Sequence, residues 1–360
     1  MISKRGGKAM YLMSKDIKVA RIDFSNMIFE IYNQSLMPFA LRGNKVDLFT
    51  VRDWISERVL NISRSNAKKI ISALGLNQNN RIEICFACKG IALTDCYWFK
   101  SETDEKYTWE NINLYNNSLS KSIAKIALTG EYVSIQGKIR TPEVTGQGAY
   151  AKCWRRINGE TFLYKSGSKQ GSGIEHRIDV LCSDILDLLD IEHVEYTLAK
   201  IDNREVSKCK NMTNENLSIC EMEYFGGFCN RNGINITKWL SSQKLYYQML
   251  IVDYLIFNTD RHSGNWGVYF DANTGDALRL HPLYDHNNAF DSDGDPMSKV
   301  ISGKTLEACA RYSKSKCNID LSKLEKWLKH PKTKARFKNL FGNMNEYKRF
   351  TERIKRYKSW

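Results

Sequence analysis

The segment of residues 255–291 constrains the fold of this chain more than any other, and it reads LIFNTDRHSGNWGVYFDANTGDALRLHPLYDHNNAFD. It places Asp260, His262, Asn265 and Asp285 in a short window between apolar runs that belong in a core. A packed helix before the window and a strand within it would hold these polar side chains still. The segment is therefore either a solvated loop with an accidental cluster, or a site for metal binding and proton transfer.

Composition sets broad limits on the class of protein. The chain has 360 residues, of which 42% are hydrophobic and only 5 are prolines, which excludes wholesale disorder. This length predicts two or three lobes rather than one core. It contains no run of about 18 apolar residues and no apolar signal core at the N-terminus, so we expect neither a transmembrane helix nor a signal peptide. We expect a cytoplasmic protein.

Charge and cysteine content leave several partners open. A formal net charge of +14 is compatible with nucleic acid, a nucleotide or an acidic protein partner. The charge is concentrated near the end of the chain, where amphipathic helices with solvated basic faces are the simpler interpretation. Of the ten cysteines, only Cys85 and Cys88 form a Cys-x-x-Cys pair. Their segment alternates like a strand and would point them to opposite faces, so we expect free buried thiols.

The N-terminal region reads as one strand-like segment followed by two short helices. Residues 17–32 alternate like strands, and residues 47–60 and 63–76 have helical periodicity, with Ser63 as a candidate N-cap and Gly75 as the stop. A helix-turn-helix for DNA binding is an alternative interpretation. Its second helix would offer Arg64, Asn66, Lys68 and Lys69.

The remainder predicts an α+β protein with a strand-rich lobe before a helix-rich lobe. Strands are expected within 132–167, 193–212 and 216–225, and helices over 173–189 and 236–258, with a glycine-containing connection at 226–227. We therefore expect three regions. These are an accessory region at 1–135, an antiparallel-sheet N-lobe at 136–226 and a helical C-lobe at 227–360.

The polar residues match the requirements of ATP-dependent phosphoryl transfer in chain order. That reaction needs a glycine loop over the phosphates, a lysine held by an acid on a nearby helix, a carboxylate base, and oxygen ligands for Mg²⁺. The loop TGQGAYAK provides Gly146, Gly148 and Lys152, and the next strand ends at Lys165, with Glu175 opening the following helix. Asp260 is the candidate base, and Asn265 and Asp285 are the candidate metal ligands.

Two other metal sites have partial support in the sequence. His262, His281, His286 and Asp285 are zinc-ligand types, but the closely spaced nitrogens typical of catalytic zinc are missing. His262 is better explained as a residue that bonds the loop and orients Asp260. The sequence DSDGD at 291–295 begins like a calcium loop, but Ser302 stands where the bidentate glutamate should be.

The stretches NTDRHSGNWGV and HPLYDHNNAF resemble the HipA-like kinase family. The resemblance covers roughly residues 140–300, and GIALTDCYWFK and SKSIAKIALTG also resemble segments that precede the kinase core in stand-alone, phage- or Firmicute-type members. It implies the two-lobed fold shared with protein kinases and phosphatidylinositol kinases, and ATP and Mg²⁺ as cofactors. It also implies the site roles just given, a nucleotide-covering loop at about 146–152, and a hinge at which the backbone of Glu221, Met222 and Glu223 meets adenine.

Residues also depart from the family pattern. The first 130 or so residues do not resemble the short N-terminal subdomain of the HipA toxin, and the loop GQGAYAK lacks its Gly-x-x-Pro-Lys form. Toxin activity and a HipB-like antitoxin partner are therefore left open. We expect a phosphotransferase, namely a Ser/Thr protein kinase acting on an unidentified protein. The alternatives are a phosphoinositide or small-molecule kinase of the same fold, and a non-enzymatic module that binds nucleic acid or protein.

Overall fold

The computed structural model describes residues 9–43, 46–135, 140–168, 173–291 and 303–360. Within these residues, the strands form three antiparallel sheets and the remaining regular structure is helical. The predicted α+β class is therefore confirmed. None of the helices in the described segments is long and apolar enough to cross a membrane.

The N-terminal sheet has the strand order β3-β2-β1-β4. Its strands are β1 (Met10–Ser14), β2 (Ile17–Asp23), β3 (Ile28–Ile31) and β4 (Tyr97–Ser101). Five helices accompany it: α1 (Leu48–Glu57), α2 (Ala67–Ala73), α3 (Arg81–Ala87), α4 (Trp109–Ile112) and α5 (Lys121–Thr129). The alternation at 17–32 therefore corresponds to two strands of this sheet.

Two local predictions in this region are wrong. Asn66, not Ser63, precedes α2 as its N-cap residue. The cysteine segment is the helix α3 rather than a strand, because Asn80 caps its first turn and the helix buries Cys85 on one face. Burial raises the pKa of the Cys85 thiol to about 12 and that of Cys88 to about 11, so both stay protonated.

The second sheet carries Lys165 and has the strand order β5-β6-β8-β7. Its strands are β5 (Lys152–Ile157), β6 (Glu160–Lys165), β7 (Tyr196–Ile201) and β8 (Arg204–Lys210), and the helix α6 (Glu175–Leu188) connects β6 to β7. Lys152 lies directly opposite Lys165 in the β5–β6 register. The strands expected from residue 132 start only at 152. A short 3-10 helix (Pro142–Val144) precedes the glycine loop, and residues 136–139 lie outside the described residues.

The third sheet, of order β11-β10-β9, opens the helix-rich part. Its strands are β9 (Leu217–Glu221), β10 (Gly267–Asp271) and β11 (Ala277–Leu280). The helices are α7 (Met222–Arg231), α8 (Ile236–Ser241), α9 (Lys244–Leu255), α10 (Leu306–Lys314), α11 (Ser322–Lys329), α12 (Pro331–Phe341) and α13 (Asn345–Ser359). The boundary predicted at 226–227 therefore falls inside α7. The helix predicted at 236–258 is broken where the backbone of Gln243 becomes extended.

Helix α9 is the centre of the helix-rich part, because ten of its twelve residues are buried. A second buried group, the aromatic cluster, joins the C-terminal helices to the segment after Asp285. The ring of Phe337 on α12 lies 5.7 Å from that of Phe290 and 6.1 Å from that of Phe350 on α13. The C-terminal helices therefore pack against the backbone that carries the predicted metal ligand.

Phe337→Ala is expected to lower the free energy of unfolding by about 3–5 kcal/mol, since the ring is fully buried. Chemical denaturation measures this change. The neighbouring Lys338 is exposed, so Lys338→Ala should change stability by no more than about 0.5 kcal/mol. Equal effects of the two substitutions would contradict the proposed packing.

Candidate active site

Lys165 lies at the end of β6 and joins two carboxylates that are far apart in the chain. Its Nζ donates to Asp179 Oδ2 at 2.9 Å and to Asp285 Oδ1 at 2.6 Å. The acid on the neighbouring helix is thus Asp179, one turn beyond the expected Glu175. Glu175 accepts instead from the backbone N–H of Ser168 at 2.9 Å. The prediction that an acid of α6 holds the lysine was right in kind and wrong in residue.

Burial and the surrounding charges give the two carboxylates different pKa values. Burial is the largest influence on Asp179 and raises its pKa to about 6 despite the nearby lysine. Burial also acts to raise the pKa of Asp285, but Lys165 and Lys152 outweigh it and lower that pKa to about 2. Burial, Arg64 and Lys165 lower the pKa of Lys152 to about 7. Two lysines side by side on one sheet face are well placed to offset phosphate charge.

Arg261, for which the sequence predicted no role, connects the segments that carry Asp260, Asn265 and Asp285. Its guanidinium is buried and bonds both oxygens of Asp253 on α9, at 3.0 and 3.1 Å. A third nitrogen, Nη1, donates to the carbonyl oxygens of Asn265 at 2.6 Å and Tyr284 at 3.0 Å. The backbone of Asn265 and the backbone just before Asp285 are therefore both bonded to one nitrogen of Arg261.

Asp260 and Asn265 belong to the same loop, which we call the catalytic loop (residues 258–265). The Asn265 amide donates to the carbonyl oxygen of Asp260 at 2.9 Å, which closes the loop on itself. Asn258 accepts from the Asp260 N–H at 3.3 Å and donates to Asp253 at 2.9 Å. The loop is therefore fixed to the end of α9, as the apolar run before it implied.

The residues present fit a magnesium ion. Among the described residues, neither Oδ2 of Asp285 nor Oδ1 of Asn265 accepts a hydrogen bond, and both are hard oxygen donors of the kind Mg²⁺ takes. Asp285 also has φ of +59°, in the left-handed region that aspartate tolerates better than most residues. These two residues would hold the ion that phosphoryl transfer needs.

The glycine loop, here residues 145–151, is held from the side of the N-terminal region. Arg64 is buried and donates to the carbonyl oxygens of Glu143, Gly146 and Lys152, each at 3.0 Å. Gly148 has φ of +93°, a backbone conformation that residues with a Cβ rarely adopt, so glycine is favoured there. Arg64 and this glycine together fix the path of the loop backbone.

The same contacts count against the helix-turn-helix interpretation. Arg64 is bonded to the glycine loop, and the side chain of Asn66 donates to the Ala127 carbonyl at 3.0 Å. Lys69 donates to the Gly130 carbonyl at 2.5 Å. Three of the four side chains proposed to read DNA therefore make structural hydrogen bonds within the protein.

Two of the three predicted hinge residues have backbone N–H groups that are already bonded within the protein. The N–H of Met222 donates to the Trp266 carbonyl at 2.9 Å, and that of Glu223 to the Ser263 carbonyl at 3.3 Å. Glu221 pairs with Gly267 in the third sheet. The chain leaves the Lys165 sheet earlier, between β8 and β9, beside a cavity of about 470 Å³ lined in part by residues 208–212.

The histidines do not form a metal cluster. His262 is exposed, and its Nδ1 accepts from the Gly264 N–H at 3.1 Å, so it shapes the turn of the catalytic loop. Burial lowers the pKa of His281 to about 4, and it also lowers that of the buried His286. Among the described residues, no group of three or more His, Cys, Asp or Glu could hold a metal. The DSDGD segment lies outside those residues after Asp291.

The elements of this site follow the chain order of a kinase fold. An antiparallel sheet carries the lysine, the next helix carries its acid, and Asp260, Asn265 and Asp285 come later. HipA of Shewanella oneidensis MR-1, solved with HipB and its operator DNA, aligns with this chain at a TM-score of 0.59 and 11% identity, covering 98% of each chain. The chain therefore has a HipA-like kinase fold.

A second solved structure is similar over a shorter length. The proinflammatory kinase CtkA of Helicobacter pylori aligns at a TM-score of 0.35 and 19% identity, over 42% of this chain and 58% of CtkA. No protein-family model matches the sequence, and a search of curated proteins finds no match either.

Arg261→Met is expected to lower the free energy of unfolding by about 3–5 kcal/mol, because it leaves Asp253 buried without a counter-charge. Arg279 is the matched control, since its ion pair with Glu192 is about half exposed. Arg279→Met should cost less than about 1 kcal/mol in the same urea titration. A loss of stability confined to the control would refute the bracing role of Arg261.

Proposed function

We propose that this protein is an ATP- and Mg²⁺-dependent kinase that transfers the γ-phosphate to a serine or threonine hydroxyl of a protein. The observation that carries the proposal is the lysine bridge between Asp179 and Asp285, at 2.9 and 2.6 Å. Protein kinases pair a strand lysine with an acid on the following helix and hold Mg²⁺ with a later aspartate, and this bridge brings the three candidate groups together.

Each residue of the site has a separate task in this proposal. The amides of the glycine loop, Lys152 and Lys165 bind the phosphates and offset their charge. Asn265 and Asp285 hold Mg²⁺, which supplies charge stabilisation and positions the transferred group. Asp260 orients the acceptor hydroxyl and takes its proton late in the reaction.

The hinge predicted at Glu221–Glu223 is partly occupied by bonds within the protein. The N–H groups of Met222 and Glu223 already donate to backbone carbonyls, so these two groups do not donate to adenine in this conformation.

Asp260→Asn should reduce phosphate transfer from radiolabelled ATP to a generic protein acceptor by about 10²–10⁴-fold, since the proton acceptor is lost. ATP binding should persist, because Asp260 does not contact Lys165 among the described residues. The exposed Asp276 provides the control Asp276→Asn, which should transfer phosphate at the wild-type rate. Transfer to inositol lipids with none to protein would favour a lipid kinase instead.

Lys165→Met should abolish the rise in thermal midpoint that ATP and Mg²⁺ give the wild-type protein. Ligand that binds only the folded state raises stability, and the lysine is expected to contact the phosphates. Differential scanning fluorimetry with ATP alone, with Mg²⁺ alone and with both separates nucleotide from metal binding. An unchanged shift in Lys165→Met would contradict the nucleotide site.

A second function, binding of a polyanion, is favoured by the charge of the last three helices. Residues 322–360 contain 13 Lys and Arg against 3 Glu, which gives +10 of the total +14. Eight exposed lysines there make no ion pair with the described residues. They are Lys323, Lys326, Lys329, Lys332, Lys334, Lys338, Lys348 and Lys355.

The double change Lys334→Glu and Lys338→Glu should weaken salt-sensitive binding of duplex DNA and flatten its salt dependence, by about one unit of log–log slope per lost phosphate contact. Fluorescence anisotropy at several salt concentrations measures both. Lys68→Glu is the control on α2, the helix that a helix-turn-helix would use. A larger loss from Lys68→Glu would shift the nucleic-acid surface to the N-terminal region.

A further inference from the structure

A chain of two hydrogen bonds joins the glycine loop to the catalytic loop. The hydroxyl of Tyr150 donates to Asn288 Oδ1 at 3.0 Å, and Asn288 Nδ2 donates to Asp260 Oδ2 at 2.7 Å. The three residues come from three separate segments of the chain. None of the requirements of phosphoryl transfer stated above includes Tyr150 or Asn288.

The chemistry of the amide fixes the direction of both bonds. An ionised carboxylate only accepts, so the NH₂ of Asn288 must face Asp260 and its carbonyl oxygen must face Tyr150. The tyrosine hydroxyl must then be the donor. Tyr150 therefore fixes the orientation of the Asn288 amide, and the amide in turn bonds the carboxylate of Asp260.

The bond from Asn288 leaves one oxygen of the proposed base available. Oδ2 of Asp260 is occupied, whereas Oδ1 accepts no hydrogen bond among the described residues. A carboxylate held by one oxygen can rotate less, so its other oxygen keeps a constant direction. That free oxygen is the one a substrate hydroxyl would meet.

Tyr150 joins the glycine loop to the helix-rich part. The other contacts of the loop go to the N-terminal region: Thr145 donates to Ile91, Gln147 donates to carbonyls of the α1 end, and Ala149 accepts from the Ser65 N–H at 2.9 Å. Within the described residues, Tyr150 is the glycine-loop residue whose side chain bonds the helix-rich part.

We propose that Asn288 and Tyr150 are positioning residues of the reaction. Asn288 orients the carboxylate of Asp260 toward the acceptor hydroxyl, and Tyr150 holds the amide of Asn288 in the orientation that this bond needs. The inference rests on the proposed kinase function. It predicts that proton transfer depends on both hydrogen bonds, whereas the affinity for ATP does not.

The test is a double-mutant cycle of Asn288→Ala and Tyr150→Phe, with kcat and KM for ATP measured on the wild-type protein and all variants. Asn288→Ala should lower kcat about 10–100-fold, because a hydrogen bond to a charged group is lost. Tyr150→Phe should lower kcat about 2–10-fold, as a neutral donor contributes less. The tyrosine effect should vanish in the Asn288→Ala background, since its bond is already gone.

Two readouts separate positioning from a merely structural role. KM for ATP should change by less than about twofold in each variant, because neither side chain bonds Lys165 or Asp285. Hydrogen exchange of amides 146–150 should be faster in both single variants than in the wild-type protein. The double variant should exchange no faster than the single variants. Tyr132→Phe, at a largely exposed tyrosine, is the matched control and should change neither readout.

Different outcomes would overturn the positioning role of Asn288 and Tyr150 and the proposed kinase activity. Transfer that requires Asp260 but is unchanged by Asn288→Ala would overturn the positioning role alone. So would a tyrosine effect of equal size in both backgrounds. Absence of phosphate transfer by the wild-type protein would overturn the kinase function, and the positioning role with it.

Discussion

The buried ion pair between Arg261 and Asp253 is the interaction on which the site depends. A buried guanidinium is stable only when its donors are used, and here they bond a helix carboxylate and two backbone carbonyls. The end of α9, the catalytic loop and the strand before Asp285 are thereby fixed to one planar group. A planar, rigid fork holds three segments in register better than a flexible ammonium would.

Lys165 depends on that arrangement in turn. Its two partners come from α6 and from the segment after Tyr284, so the bridge forms only if the sheet and the catalytic segment are brought together. The carboxylates compete for a single positive charge, and burial leaves Asp179 less acidic than Asp285. Asp285 is the more exposed of the two carboxylates, and its Oδ2 accepts no hydrogen bond among the described residues, so it is the one available to a cation.

The sequence predicts this site unevenly, for identifiable reasons. The strand ending at Lys165 and the helix after it are clear from the sequence, because a glycine-containing turn precedes the strand and apolar residues recur at helical spacing along the helix. The choice between Glu175 and Asp179 is not clear, since both lie on α6 one turn apart and only the approach angle of the helix decides. Strand patterns show where strands lie but not which sheet they join, so the sequence does not reveal that β9 pairs with β10 rather than with the Lys165 sheet. Arg261 was missed because a basic residue in a loop usually faces solvent.

The contact between Arg64 and the glycine loop has a consequence for how the chain can be controlled. A ligand or partner that displaces α2 must also disturb the carbonyls of Gly146 and Lys152. Under the proposed function, an effector that moved the N-terminal region would change the affinity for nucleotide, and nucleotide would change the affinity for that effector by the same factor.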